Sequence, residues 1–227
     1  MTKRLTLLFD IDGTLVDSAP DLIIAHNHVM KKFGFSTKSD EELKALVGMG
    51  AKTMMNKIVW NSAKEEIKKI EEKEVKDQMV KEFIKFYGNN IAVKSKLIEG
   101  VKGFLLWCKS NKITMGVCTN KQEHLAIDLL KKLGIVNFFE YIAGVNTFDY
   151  CKPDARHLTS VVEIMGGDIK KTIMIGDSDV DAKSAQNAIV PFVLLENGYT
   201  NIKTSQMKYD HLIKDFIGLE NIIKNYL

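Results

Sequence analysis

Leu7-Leu8-Phe9-Asp10-Ile11-Asp12-Gly13-Thr14-Leu15-Val16 is the stretch whose reading decides the fold. An apolar run of strand-compatible residues ends in two carboxylates one residue apart, and a Gly-Thr turn follows at once. Alternate side chains of a strand share a face, so Asp10 and Asp12 project together if the extended geometry persists. Two carboxylates in one place repel. The arrangement is stable only if a cation neutralises them or one carries a proton. The end of this strand is therefore a place for chemistry rather than packing.

Outward from that run, short apolar segments at 5–9, 113–118, 141–145, 172–175 and 191–195 read as strands, with helical patterns at 101–110, 124–133 and 155–165 between them. Such alternation predicts βαβ units, hence an α/β fold with a mostly parallel sheet covered by helices on both faces. Gly134 and Gly166-Gly167 follow two of the helices as stops. One segment breaks the pattern. From about 19 to 87 there is no convincing strand. A helix is expected over 21–33, another from Ser39, and another from near Ala51. Ile67, Ile70, Val75, Met79, Phe83 and Phe86 then recur at helical spacing among many Lys and Glu. The charges of 64–82 balance in sign and the apolar spacing is not a sustained heptad, so a solvated helix face is expected rather than a coiled coil. The division expected is a Rossmann-like core of 1–16 and 90–227 with an inserted all-α cap of 17–89.

With 45% hydrophobic and 27% charged residues over 227 positions, there is ample material for a buried core. A formal charge of +3 with no basic block argues for neither nucleic acid nor a membrane surface. No apolar run is long enough to span a bilayer. Residues 1–4 run straight into the first strand, which predicts no signal peptide and a cytoplasmic protein. Cys108, Cys118 and Cys151 form no C-x-x-C pair and read as free thiols. Cys118 and Cys151 each adjoin a motif and are candidates for oxidation. The five histidines show no metal-binding spacing.

Four strand ends carry the chemistry. The first supplies Asp10 and Asp12. The second runs into Thr119-Asn120 and a helix, where a hydroxyl and backbone amides make a phosphate cradle or, more plainly, a helix cap. The third motif is Cys151-Lys152-Pro153-Asp154, with its lysine held extended before the proline. The fourth is Gly176-Asp177-Ser178-Asp179-Val180-Asp181. With Asp10 and Asp12 it supplies the oxygen ligands a hard divalent cation needs. In open α/β sheets, ligands bind at the C-terminal strand ends, where all four lie.

These motifs resemble those of the haloacid-dehalogenase-like hydrolases with a helical cap inserted after the first strand. The resemblance covers essentially the whole chain. Within that superfamily, the run from Asp10 through Asp17-Ser18-Ala19-Pro20-Asp21 and the turn Val47-Gly48-Met49-Gly50 are most similar to the phosphoglycolate phosphatases. The resemblance implies a Mg2+-dependent phosphomonoester hydrolase converting 2-phosphoglycolate to glycolate and phosphate. Asp10 would be the nucleophile, forming an aspartyl-phosphate, and Asp12 the general acid and base. Thr119, Asn120, Gly13, Thr14 and Lys152 would hold the phosphoryl group. Asp10, Asp177 and the backbone carbonyl of Asp12 would hold the metal, with Asp181 and Ser178 behind them. Ser18, Asp21, Gly48, Gly50 and Lys52 are cap candidates for specificity. The expected partner is a small phosphorylated metabolite, with no nucleic acid or membrane, acting on a monomer or homodimer.

Rival readings are a phosphatase for a sugar phosphate, nucleotide or pyrophosphate, a β-phosphoglucomutase-like mutase, and a non-catalytic module of the same fold. A dehalogenase does not need Asp12. A non-catalytic module is expected to lose at least one of Asp10, Asp12, Lys152 and Asp177, and all are present.

Overall fold

The computed structural model describes residues 4–47, 69–196, 198–200 and 202–227. Its centre is β1 (Thr6–Phe9), flanked by β4 (Thr114–Cys118) and β6 (Thr172–Gly176), both parallel to it. The sheet continues through β5 (Tyr141–Ala143) on one side and through β7 (Phe192–Leu195) and β8 (His211–Ile213) on the other. The order is β5-β4-β1-β6-β7-β8, parallel throughout. Alternation along the strands explains why they read as continuous apolar runs. Leu7, Phe9, Ile173, Ile175, Val193 and Leu195 enter one core, whereas Leu8, Met174, Phe192 and Leu194 enter a second on the opposite face.

Helices cover both faces. They are α4 (Val101–Ser110), α5 (Glu123–Lys132), α6 (Ala155–Ile164), α7 (Asp179–Ala188) and α8 (Leu219–Ile223). Strand β5 is shorter than expected because the chain turns at Gly144, whose carbonyl accepts from the Thr147 amide at 3.2 Å. Strand β8 lay outside the expected set: His211-Leu212-Ile213 is too short, and too exposed at the sheet edge, to show a pattern.

A helical region is inserted between two short strands, β2 (Val16–Asp17) and β3 (Lys96–Leu97). These strands pair antiparallel, Val16 with Leu97 and Asp17 with Lys96, and so tie the outgoing and returning chain together. Two residues each give no periodicity to read. Among the described residues the insert comprises α1 (Ala19–Lys32), α2 (Asp40–Val47) and α3 (Lys69–Asn89). The helix expected from near residue 51 lies outside the described residues. Helix α1 starts with Pro20 in its first turn, and Ser39 and Glu42 cap α2 reciprocally. The buried stripe of α3 is Met79, Phe83 and Tyr87, at i, i+4, i+8. Phe86, expected in that stripe, is half-buried and stacks on His28 of α1 at 3.8 Å between centroids.

Among the described residues no helix is long and apolar enough to cross a membrane.

Candidate active site

The C-terminal ends of β1, β4 and β6 converge, as parallel neighbours must. Strand β1 stops at Phe9, and beyond it the chain does not stay extended. The amides of Thr14, Leu15 and Val16 all turn back onto the Ile11 carbonyl at 2.9–3.2 Å. Asp10 and Asp12 each meet an ammonium. Lys152 Nζ lies 3.1 Å from Asp10 Oδ1, and Lys121 Nζ lies 2.9 and 3.0 Å from the two oxygens of Asp12. All four side chains are at least nine-tenths buried. The repulsion read from the sequence is thus relieved by two lysines. Lys121 was not among the expected site residues. Its only signal was its place directly after Thr119-Asn120.

Asp181 anchors the first ammonium. Its Oδ1 lies 2.5 Å from Lys152 Nζ, while Oδ2 accepts from the Ser178 hydroxyl at 2.6 Å and from the amides of Asp177 and Ser178 at 3.2 and 3.1 Å. The Ser178 amide bond and its reciprocal, the Asp181 amide donating to the Ser178 hydroxyl at 3.3 Å, form a capping box at the start of α7, so helix nucleation and lysine placement share one carboxylate. Asp177 is held by the Thr14 hydroxyl at 2.8 Å and the Tyr199 amide at 2.7 Å. Gly13, at φ +83°, and Gly198 pass so close that a Cβ at either would collide with the Asp177 carboxylate.

Gly13 and Thr14 are the expected phosphate contacts beside Asp10. The amides of Gly13 and Thr14 are spent on Val16 and Ile11, and the Thr14 hydroxyl on Asp177. Thr119 is buried beside Asp10, where its hydroxyl helps to hold that carboxyl down, and accepts from the Lys121 amide at 3.2 Å. Asn120 donates its side-chain amide to the Lys152 carbonyl at 3.1 Å. Neither Thr119 nor Asn120 caps α5, whose N-cap is Gln122.

Of the cap candidates, Ser18 is fully buried and donates to Asp12 Oδ1 at 2.5 Å, so it belongs to this cluster. Asp21 does not. It accepts from the amides of Lys94 and Ser95 at 2.8–3.0 Å and from the Ser95 hydroxyl at 2.6 Å, clamping the returning linker. The contacts it makes are structural, to the linker backbone and the Ser95 hydroxyl. Gly48, Gly50 and Lys52 lie outside the described residues. Tyr199 was also missed. Its hydroxyl donates to Asp17 and accepts from the Ala19 amide at 3.1 Å, bracing the outgoing linker.

Asp10, Asp177 and Asp181 each place a carboxylate oxygen within 4.8 Å of the others. Burial pushes the Asp10 carboxyl up to about 6; Lys152 opposes the rise, and the negative charges of Asp181 and Asp12 add to it. Asp177 is raised well above the usual carboxylate range by burial, then by Asp181 and Asp10. Burial alone would lower Lys152, but Asp10 and Asp181 outweigh it and raise it. Asp10 Oδ1 is buried, and Lys152, 3.1 Å away, meets it as an ion pair without hydrogen-bond geometry. Three buried carboxylates with oxygens close together, and the crowded negative charge that raises Asp10 and Asp177, fit a hard divalent cation, whose charge would reverse that rise.

Of the two thiols expected as candidates for oxidation, Cys151 is half-buried and Cys118 buried. Cys118 is fully buried against the His157 carbonyl, 3.7 Å away, and burial pushes its thiol up, so it is shielded from oxidation.

The sequence matches the haloacid dehalogenase-like hydrolase family over residues 7–195, and the chain belongs to that family. It is 37% identical to the phosphoglycolate phosphatase of Agrobacterium fabrum over 93% of this chain and 89% of that protein. It is 34% identical to that of Caulobacter vibrioides, covering 94% and 88%. Among solved structures it is similar to a Haemophilus somnus protein described as a predicted phosphoglycolate phosphatase. The TM-score is 0.89 at 28% identity, covering 98% and 99% of the two chains.

Proposed function

We propose that this protein is a Mg2+-dependent phosphomonoester hydrolase that acts through an aspartyl-phosphate and takes 2-phosphoglycolate as its substrate. The observation that carries the reaction is the pairing of two buried carboxylates beyond β1 with two buried ammoniums, Asp10 with Lys152 and Asp12 with Lys121. Support for the substrate comes from phosphoglycolate phosphatases at 34–37% identity over most of the chain.

In this reading a carboxylate oxygen of Asp10 attacks phosphorus as the bond to the leaving oxygen breaks. Asp12 gives its proton to that oxygen, releasing the alcohol. Asp12 then takes a proton from water, whose oxygen attacks the same phosphorus, and the Asp10–phosphorus bond breaks to free phosphate. Lys152, held by Asp181, offsets charge on Asp10 and the phosphoryl oxygens, and Thr119 and the Asn120 amide grip them. Asp10 and Asp177, with the Asp12 carbonyl, would hold Mg2+, which supplies charge neutralisation at the reacting oxygens. Both Asp181 oxygens are engaged by Lys152 and the α7 N-terminus, which favours its role behind that set.

We assign 1–16 and 90–227 to a catalytic core and 17–89 to a cap whose motion the β2–β3 tie would hinge. The test is phosphate release from 2-phosphoglycolate, sugar phosphates, nucleotides and pyrophosphate, with Mg2+, with chelator, and with Asp10→Asn. The expected result is metal-dependent release concentrated on 2-phosphoglycolate and lost in the variant. Release preferring another phosphate would discard the substrate, and release surviving Asp10→Asn would discard the mechanism.

A further inference from the structure

Lys121 does more in this geometry than neutralise Asp12. An ammonium has three donors. Two directions meet the Asp12 oxygens, and the ammonium sits 4.4 Å from the ring centroid of Tyr87. Tyr87 comes from α3 of the inserted helical region, not from the sheet. It is 1% exposed, and its hydroxyl is buried without a hydrogen-bond partner of proper geometry although Lys121 lies against it. A buried hydroxyl without a partner is costly, so its retention points to a ligand that supplies one. Lys152 is shared by two carboxylates, whereas Lys121 faces one. A further anion is therefore better accommodated at Lys121.

The location defines which part of a substrate this pair meets. Under the reading proposed above, on which this inference rests, Asp12 hydrogen-bonds to the leaving oxygen. Lys121 Nζ then lies within about 6 Å of that oxygen. A carboxylate oxygen three bonds from the leaving oxygen reaches up to about 3.6 Å, and a hydrogen bond adds about 2.8 Å. We propose that Lys121, together with the Tyr87 hydroxyl, is the specificity element that recognises a carboxylate on the alcohol side of a small phosphate monoester. Core and inserted region each contribute one group, so recognition is completed only when α3 lies against the sheet end.

The experiment compares 2-phosphoglycolate with ethyl phosphate, its neutral counterpart of similar length. Both are assayed as kcat/KM with Mg2+ in the wild type, Lys121→Met, Lys121→Arg and Tyr87→Phe. Any loss through Asp12 is common to both substrates and cancels in the ratio. Lys121→Met is expected to cut the preference for 2-phosphoglycolate about 30-fold, chiefly through KM. Tyr87→Phe should cut it about 5-fold, and Lys121→Arg should largely retain it. Dissociation constants of the two ligands for Asp10→Asn protein, with and without Lys121→Met, give a second readout free of turnover. An unchanged ratio in any folded variant other than Lys121→Arg overturns the proposal, as does wild-type preference for ethyl phosphate or failure of Asp10→Asn protein to bind 2-phosphoglycolate. Turnover with an unmoved ratio defeats the role of Lys121 and leaves the phosphatase standing. Absent turnover with the expected binding ratios does the reverse.

Discussion

Asp21 offers the sharpest separation of a structural from a recognition role. Its carboxylate is 4% exposed and is the acceptor for three donors of the returning linker: the amides of Lys94 and Ser95 and the Ser95 hydroxyl. Asp21→Ala leaves all three without it. Lys94 is exposed, so water replaces the lost acceptor at a cost of about 1 kcal/mol. Ser95 is buried, so its amide costs about 2 kcal/mol and its hydroxyl about 1 kcal/mol. The total, about 4 kcal/mol, is a large part of the 5–15 kcal/mol typical of a folded protein. For a chain of this size it lowers Tm by roughly 8–16 °C. Asp21→Asn keeps one acceptor oxygen and should lose about half as much. Thermal and urea unfolding of the two variants measure this, alongside substrate preference, which should stay as in the wild type. A fall in Tm below about 3 °C for Asp21→Ala, or an altered preference with stability intact, would refute the clamp and return Asp21 to recognition.

Two further outcomes follow from the same packing. Gly13→Ala places a methyl on the Asp177 carboxylate at a backbone φ of +83°, so kcat/KM for phosphate release should fall at least ~100-fold while the protein still folds; near-normal activity would show that Asp177 can move without consequence. His157 is fully buried, and burial, aided by Lys152, lowers its pKa to about 4. The unfolded chain therefore takes up this proton first, near the ordinary value of about 6.5. The contribution is complete above that value and is lost as pH falls toward 4. From neutrality to about pH 5 it removes about 2 kcal/mol. Urea unfolding of wild type and His157→Gln at both pH values checks this, and an equal pH dependence in the two would be the contrary result.

Much of the site was legible because its chemistry sits where local patterns end. The apolar runs before Asp10, Thr119 and Asp177 each terminate in polar residues, and parallel order brings such ends together whatever the loops do. The buried two-faced strands were legible for the same reason, since both parities are apolar. The misses have a common cause in contacts that local pattern cannot show. Strands β2 and β3 have two residues each and exist because each meets the other across the whole insert. The clamp at Asp21 joins positions 73 and 74 residues apart.

What this sequence determined by itself was the alternation of strand and helix, the helical insert, and the set of carboxylates with Lys152. Those follow from side-chain periodicity and residue type. Which ammonium serves which carboxylate was decided by tertiary structure alone. Asp12, beside the turn onto Ile11, meets Lys121, 109 residues away, and Tyr87 reaches the same point from a separate helix. Charge pairing depends on distance in space and on burial, and neither is encoded in the spacing of residues along a chain.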